Sequence, residues 1–146
     1  MKVSFDFDAT LDKKSVQQFA KRVIKLGIDP YIITNRYSDS MLEYKKSTQS
    51  PSTSEYDKVD PEDTNDDLYK VAKEVGIPNN HIHFCNKEGK DEYLKGKNFA
   101  LHLDDDEEEI SNIRKYTDIK VIDVTNPKWN SHARKILKLE PQYAAN

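Results

Sequence analysis

The chain has 146 residues, 34% charged and 36% hydrophobic, with a formal net charge of −3. That length suits a single domain over residues 1–146, and the charge offers no polybasic grip on nucleic acid or on an anionic membrane. One cysteine, Cys85, excludes an intrachain disulfide and a cysteine-rich zinc site.

A structural run begins at once with Lys2-Val3-Ser4-Phe5, and no apolar segment of membrane-spanning length follows, so the cytoplasm is the expected compartment. This run reads as the first strand and ends in the acids Asp6 and Asp8. Val16, Phe19, Ala20, Val23, Ile24 and Leu26 then recur at helical spacing before Gly27. A second strand, Tyr31-Ile32-Ile33, ends at Thr34. From Ser47 to Asp67 the chain is rich in Ser, Thr, Asp and Pro, and reads either as a functional flap or as a disordered loop. Leu68, Val71, Ala72 and Val75 repeat the helical pattern before Gly76. The third strand is expected over His81–Cys85, a short helix over Asp91–Leu94, and the fourth strand over Phe99–Leu103, ending in Asp104-Asp105-Asp106. A helix over Glu107–Tyr116, a fifth strand over Lys120–Val124 and a helix over Lys128–Leu139 complete the pattern, with a frayed tail at 140–146. Strand and helix alternating in this way predict an α/β layer structure on a mostly parallel five-stranded sheet.

In such a sheet, ligands bind beyond the carboxyl ends of the strands. There the sequence places Asp6 and Asp8, then Thr34, Asn35 and Arg36, then Asp104, Asp105 and Asp106. Carboxylates gathered together repel one another, so the group calls for a cation. Hard oxygen donors without a neighbouring His/Cys set point to Mg²⁺ rather than zinc. A site of this charge with a bound Mg²⁺ suits phosphoryl transfer, which rests on positioning and charge stabilisation.

The string Val3-Ser4-Phe5-Asp6-Phe7-Asp8-Ala9-Thr10 resembles the first motif of the haloacid dehalogenase superfamily, an apolar strand followed by D-x-D-x-T. Ile32-Ile33-Thr34 is similar to its second motif, and Leu101-His102-Leu103-Asp104-Asp105 to its acidic fourth. Lys90 is the best match to the lysine of the third motif, with Lys87 a close rival. The resemblance implies a Rossmann-like three-layer sandwich and a Mg²⁺-dependent phosphate monoesterase. In it Asp6 is the nucleophile, Asp8 the general acid and base, and Thr34 and Lys90 hold phosphate oxygens. It also implies metal ligation by Asp6, by Asp8 through its backbone carbonyl, and by the Asp104-Asp105 pair, with Asp105 the first choice for the direct ligand. Thr10 and Asn35 join the substrate-binding set. Arg36, in a Thr-Asn-Arg string similar to one in nucleotidase-like members, either clamps an anion or is a solvated surface residue.

Ala9 departs from the glycine that members of that family often carry. Only one helix fits between the first two strands, so the chain resembles the minimally capped members. The expected partner is a phosphorylated substrate, a small molecule or nucleotide. A macromolecular phosphate is the second reading, and a non-catalytic metal-binding module the third. His81, His83, His102 and His132 lack metal-ligand spacing and read as sheet or surface residues. The acids Asp106 to Glu109 read as a helix N-terminus favoured by its dipole.

Overall fold

A computed structural model describes residues 1–139, and the tail expected at 140–146 lies outside the described residues. Five strands, β1 (Lys2–Phe5), β2 (Asp29–Thr34), β3 (Ile82–Phe84), β4 (Phe99–Asp104) and β5 (Val121–Asp123), form one all-parallel sheet in the order β3-β2-β1-β4-β5. Among the described residues six α-helices accompany it: α1 (Lys14–Lys25), α2 (Asp39–Thr48), α3 (Asp66–Val75), α4 (Lys90–Leu94), α5 (Glu107–Tyr116) and α6 (Trp129–Leu137). The architecture is the Rossmann-like three-layer α/β sandwich.

Strand alternation sorts the side chains between two cores. Val3, Phe5, Leu101 and Leu103 pack with Phe19, Leu68, Ala72 and Trp129 of α1, α3 and α6. On the other face Ile33, Phe99 and Val121 meet Leu94, Ile110 and Ile113 of α4 and α5. Both faces of the sheet are covered, as parallel sheets require. The intervening positions of β1 and β4 carry Ser4 and His102, which pair across the strands and are fully buried. They satisfy each other, Ser4 Oγ lying 2.7 Å from His102 Nδ1, as buried polar groups must.

The helix α2 was not among the predicted elements. Ser38 caps it by accepting from the Met41 N–H at 3.3 Å, but only Leu42 is buried on it, so it shows little apolar periodicity. The polar stretch read from Ser47 to Asp67 is correspondingly shorter, since its first residues belong to α2 and its last to α3. The Gln49 side chain donates to the Val59 carbonyl at 2.8 Å and accepts from the Val59 N–H at 2.9 Å. Val59 is buried in a satellite cluster with Tyr37 and Leu42, and Lys46 donates to the Asp63 carbonyl at 2.6 Å.

No helix among the described residues is long and apolar enough to cross a membrane.

Candidate active site

The sheet order reverses at β1, which lies between β2 and β4. Such a switch point opens a crevice beyond the strand ends. After β1 the chain makes a tight turn over Phe7–Leu11, with Asp8 extended (φ −64°, ψ 128°) and Ala9 left-handed (φ 58°, ψ 17°). A left-handed backbone suits glycine and strains alanine. Ala9→Gly therefore raises folding stability by about 1 kcal/mol, read as a higher urea midpoint at unchanged slope.

The loop after β3 holds the loop after β2 in place. Cys85, Asn86 and Lys87 donate their backbone N–H groups to the carbonyls of Thr34, Arg36 and Asn35 at 2.7, 3.1 and 2.8 Å. Asn86 and Lys87 adopt positive φ angles of 54° and 63° to do so. Left-handed non-glycine residues carry strain that surrounding structure must sustain. The loop turns the Lys87 ammonium away from β1, to donate to the Tyr56 carbonyl at 3.0 Å. It brings Lys90, at the start of α4, inward.

Lys90 is the electrostatic centre. Its side chain is 3% exposed, and its ammonium donates to Asp6 Oδ1 at 2.9 Å and to Asp104 Oδ2 at 2.6 Å. Burial works to lower its pKa, but the two carboxylates overcome that and hold it raised. Of the two lysines left open by the sequence, Lys90 is the one the structure brings to Asp6.

Asp104 is fully buried, with all four acceptor sites engaged. Oδ1 takes the N–H groups of Asp105 and Asp106 at 2.9 and 3.1 Å, and Oδ2 takes Lys90 and His102 Nε2 at 2.6 and 2.8 Å. Burial favours its neutral form, but His102 and Lys90 outweigh that and hold it well below the usual carboxylate range. Burial also lowers the pKa of His102, against the pull of Asp104. The imidazole is thus neutral near pH 7, so its Nε2–H donates to Asp104 and its Nδ1 accepts from Ser4. One oxygen from each of Asp6, Asp104 and Asp105 lies within 4.8 Å of the others. By distance Asp104 could be a ligand, but its filled acceptor sites make it the support for Lys90.

Asp6 is buried, and its pKa is pushed up to about 8. Burial is the main cause, Lys90 opposes it, and the Asp104 charge adds to it. Thr10 Oγ1 lies 3.3 Å from Asp6 Oδ2 and 3.2 Å from Asp105 Oδ1, so its single hydrogen is shared between the two carboxylates. Thr10 thus bridges Asp6 and Asp105. Thr34 is buried and accepts the Arg36 N–H at 3.2 Å. Asn35 donates to Glu109 and accepts the Gly89 N–H at 3.1 Å. Glu109 also accepts the Lys90 N–H at 3.1 Å, so one carboxylate fastens the β2 loop and α4 to α5. Asp106 caps α5 by accepting from the N–H groups of Glu108 and Glu109.

Arg36 lies between two acids. Nε and Nη2 donate to Asp8 at 2.9 and 2.7 Å. Nη1 and Nη2 donate to Asp67 at 2.8 and 2.9 Å, and Nη1 also reaches Asn65 Oδ1 at 3.4 Å. The guanidinium lies over the Phe7 ring, its Cζ 4.9 Å from the centroid. All five of its donors are engaged within the protein, so in this arrangement it is a strut and not a free anion clamp.

These residues surround a cavity of about 230 Å³ lined by Asp6, Asp8, Thr34, Arg36, Lys90 and Asp105. A larger cavity of about 520 Å³ shares Arg36 with it and is walled by Tyr37, Val59, Asn65 and Asp67.

Sequence reasoning missed four contributors: His102, Glu109, Asn65 and Asp67. In the sequence Glu109 reads as a dipole-favoured helix acid and Asp67 as the end of a polar stretch. Their roles come from contacts with residues distant in the chain, which no local pattern encodes. The sequence matches no protein-family profile and no curated protein.

Proposed function

We propose that the protein is a Mg²⁺-dependent phosphate monoesterase of the haloacid dehalogenase type, acting through an aspartyl-phosphate on Asp6. The observation that carries this reading is the buried Asp6–Lys90–Asp104 array at the sheet switch point. Its Asp6 opens to a cavity that Asp8 and Asp105 also line. A purely structural ion pair has no need of two further carboxylates and a cavity.

The donor set fits Mg²⁺: Asp6 and Asp105 offer hard oxygens close together, bridged by Thr10. The backbone carbonyl of Asp8 is the third donor that the family resemblance implies. When bound, the ion would neutralise these carboxylates and the incoming phosphate. The raised pKa of Asp6 agrees with such a need, since a nucleophile must be ionised to attack.

In the first step an Asp6 carboxylate oxygen bonds to phosphorus, and the bond from phosphorus to the leaving oxygen breaks. That oxygen takes a proton from the Asp8 carboxylic acid. In the second step water attacks phosphorus, its proton passes to the Asp8 carboxylate, and Asp6 is released with inorganic phosphate. Lys90 and the Thr34 hydroxyl hold phosphate oxygens. Asp8 is 57% exposed, which leaves the leaving-group side open. Nucleotides and other small phosphate esters fit, and the same openness favours a phosphorylated polymer as the second reading.

The test is a screen of nucleotides, sugar phosphates and phosphorylated polymers, with Mg²⁺ and with EDTA. Turnover appears with Mg²⁺ and vanishes with EDTA; a folded protein that turns over none of them is a binding module instead. Asp105→Ala raises the Mg²⁺ concentration for half-maximal activity by roughly 10-fold or more. Asp106→Ala leaves that concentration near the wild-type value and lowers stability by about 1 kcal/mol, through loss of the α5 cap. The reverse ranking would assign the metal to Asp106.

A further inference from the structure

We infer that Asp67, at the start of α3, is a positioning residue for the general acid, acting on Asp8 through Arg36; this rests on the phosphatase reading above. Asp8 sits on a turn, more than half exposed, and the side-chain partner holding it is the Arg36 fork. A fork fixes a carboxylate only if it is itself fixed. Asp67 does this with two hydrogen bonds on the opposite edge of the guanidinium, at 2.8 and 2.9 Å.

Asn65 makes the anchor rigid. It is buried, and besides its contact to Arg36 it donates to the Tyr37 carbonyl at 3.0 Å and to Asp39 Oδ1 at 2.9 Å. The Arg36 hydrogen bonds lower the pKa of Asp67, so it is ionised at neutral pH. The geometry is bidentate on both sides of one arginine, where a lysine could not substitute. Asp67 touches neither Asp6 nor Asp8 in any of these hydrogen bonds. Its influence passes through orientation alone, where a displacement of about 1 Å can change a rate by 10²-fold.

The step that depends most on Asp8 is proton delivery to the leaving oxygen as its bond to phosphorus breaks. An alkoxide leaves poorly without that proton, whereas nitrophenolate leaves readily. Loss of Asp67 should therefore be selective for the leaving group. The parameter to compare is kcat/KM, which reports formation of the phosphoenzyme and excludes the later hydrolysis.

The experiment measures kcat and KM for glycerol 3-phosphate and 4-nitrophenyl phosphate, with Mg²⁺. It uses wild type, Asp67→Ala, Asp67→Glu and Asp66→Ala. Asp66 is the adjacent exposed acid and removes the same charge without touching Arg36. Asp67→Ala lowers kcat/KM for the alkyl ester at least about 10-fold and for the aryl ester by less than about 3-fold. Asp67→Glu restores part of the alkyl activity, and Asp66→Ala resembles wild type. Equal losses on both esters would overturn the inference while leaving the phosphatase reading intact. So would a lower KM at unchanged kcat, the mark of a freed Arg36 gripping substrate. A wild-type protein inactive on these esters and on every phosphate of the screen above would remove the phosphatase reading and this inference with it. Because Asp67 is 60% exposed, the fold survives its replacement, and a thermal melt checks that.

Discussion

Replacing Asp6 by Asn lowers kcat by a factor on the order of 10⁴ or more and, in metal-free protein at pH 8, makes the fold more stable than wild type. The first effect follows from loss of the attacking carboxylate. The second follows from linkage. The Asp6 pKa is raised to about 8 on folding, above its ordinary value in the unfolded chain, so folding favours its protonated form. That contribution is fully present below about pH 4 and is lost as pH rises through about 8. Asn cannot ionise and is spared the loss. Urea unfolding of both proteins between pH 4 and 9 should give curves that diverge upward in pH, with Asn on top, and Mg²⁺ should narrow the gap by binding wild type selectively. A stability difference that does not change with pH would mean that Asp6 is ionised throughout. The trade between charge at a functional site and stability is a general one.

Lys90→Met has the opposite sign. Removing the ammonium leaves the ionised Asp104 buried with no cation beside it, next to the Asp6 carboxyl. Breaking a buried pair in this way costs about 3–5 kcal/mol, a large share of the roughly 5–15 kcal/mol that holds a domain together. Turnover is lost as well, with the phosphate-binding charge gone. A second change, Asp104→Asn, removes the stranded charge. The double variant should recover stability beyond the sum of the single effects, a coupling that a double-mutant cycle reads directly. Lys90→Arg should not rescue, because the compact ammonium sits between two oxygens where the planar guanidinium does not fit. If Lys90→Met unfolds in urea within about 1 kcal/mol of wild type, the array is more hydrated than its burial implies.

Much of this arrangement was legible in the chain. The five strands are where alternation and apolar runs put them, because each must bury side chains on at least one core face. Asp6, Lys90, Asp104 and Asp105 do converge, since a parallel sheet delivers every strand end to one edge. Three things were not legible. The helix α2 is held by a cap and one buried leucine, too little for a periodicity argument. Lys87 and Lys90 lie in one loop, and only the left-handed turn at Asn86 and Lys87 decides which faces inward. Finally, Thr10, Asn35 and Arg36 stand at the expected edge, yet residue type alone cannot say what receives their hydrogens. In the fold those acceptors are Asp6 and Asp105, Glu109, and Asp8 with Asp67.

The place of β1 in the sheet bears on how the protein is made. It precedes both of its partners in the chain and is the central strand, paired on one side by β2 and on the other by β4. The β2 side can close early, but the β4 side stays bare until Phe99–Asp104 has been translated. At ribosomal speeds of about 5–20 residues per second that interval is roughly 5–20 s. During it the nascent chain presents an open apolar edge carrying Val3 and Phe5, the kind of template that recruits other chains. The same interval separates Asp6 from Asp104, so Lys90 has one carboxylate and not two until β4 docks. Newly made chains should therefore be most dependent on chaperones between completion of β2 and arrival of β4, and fragments ending before residue 99 should aggregate where the whole chain does not.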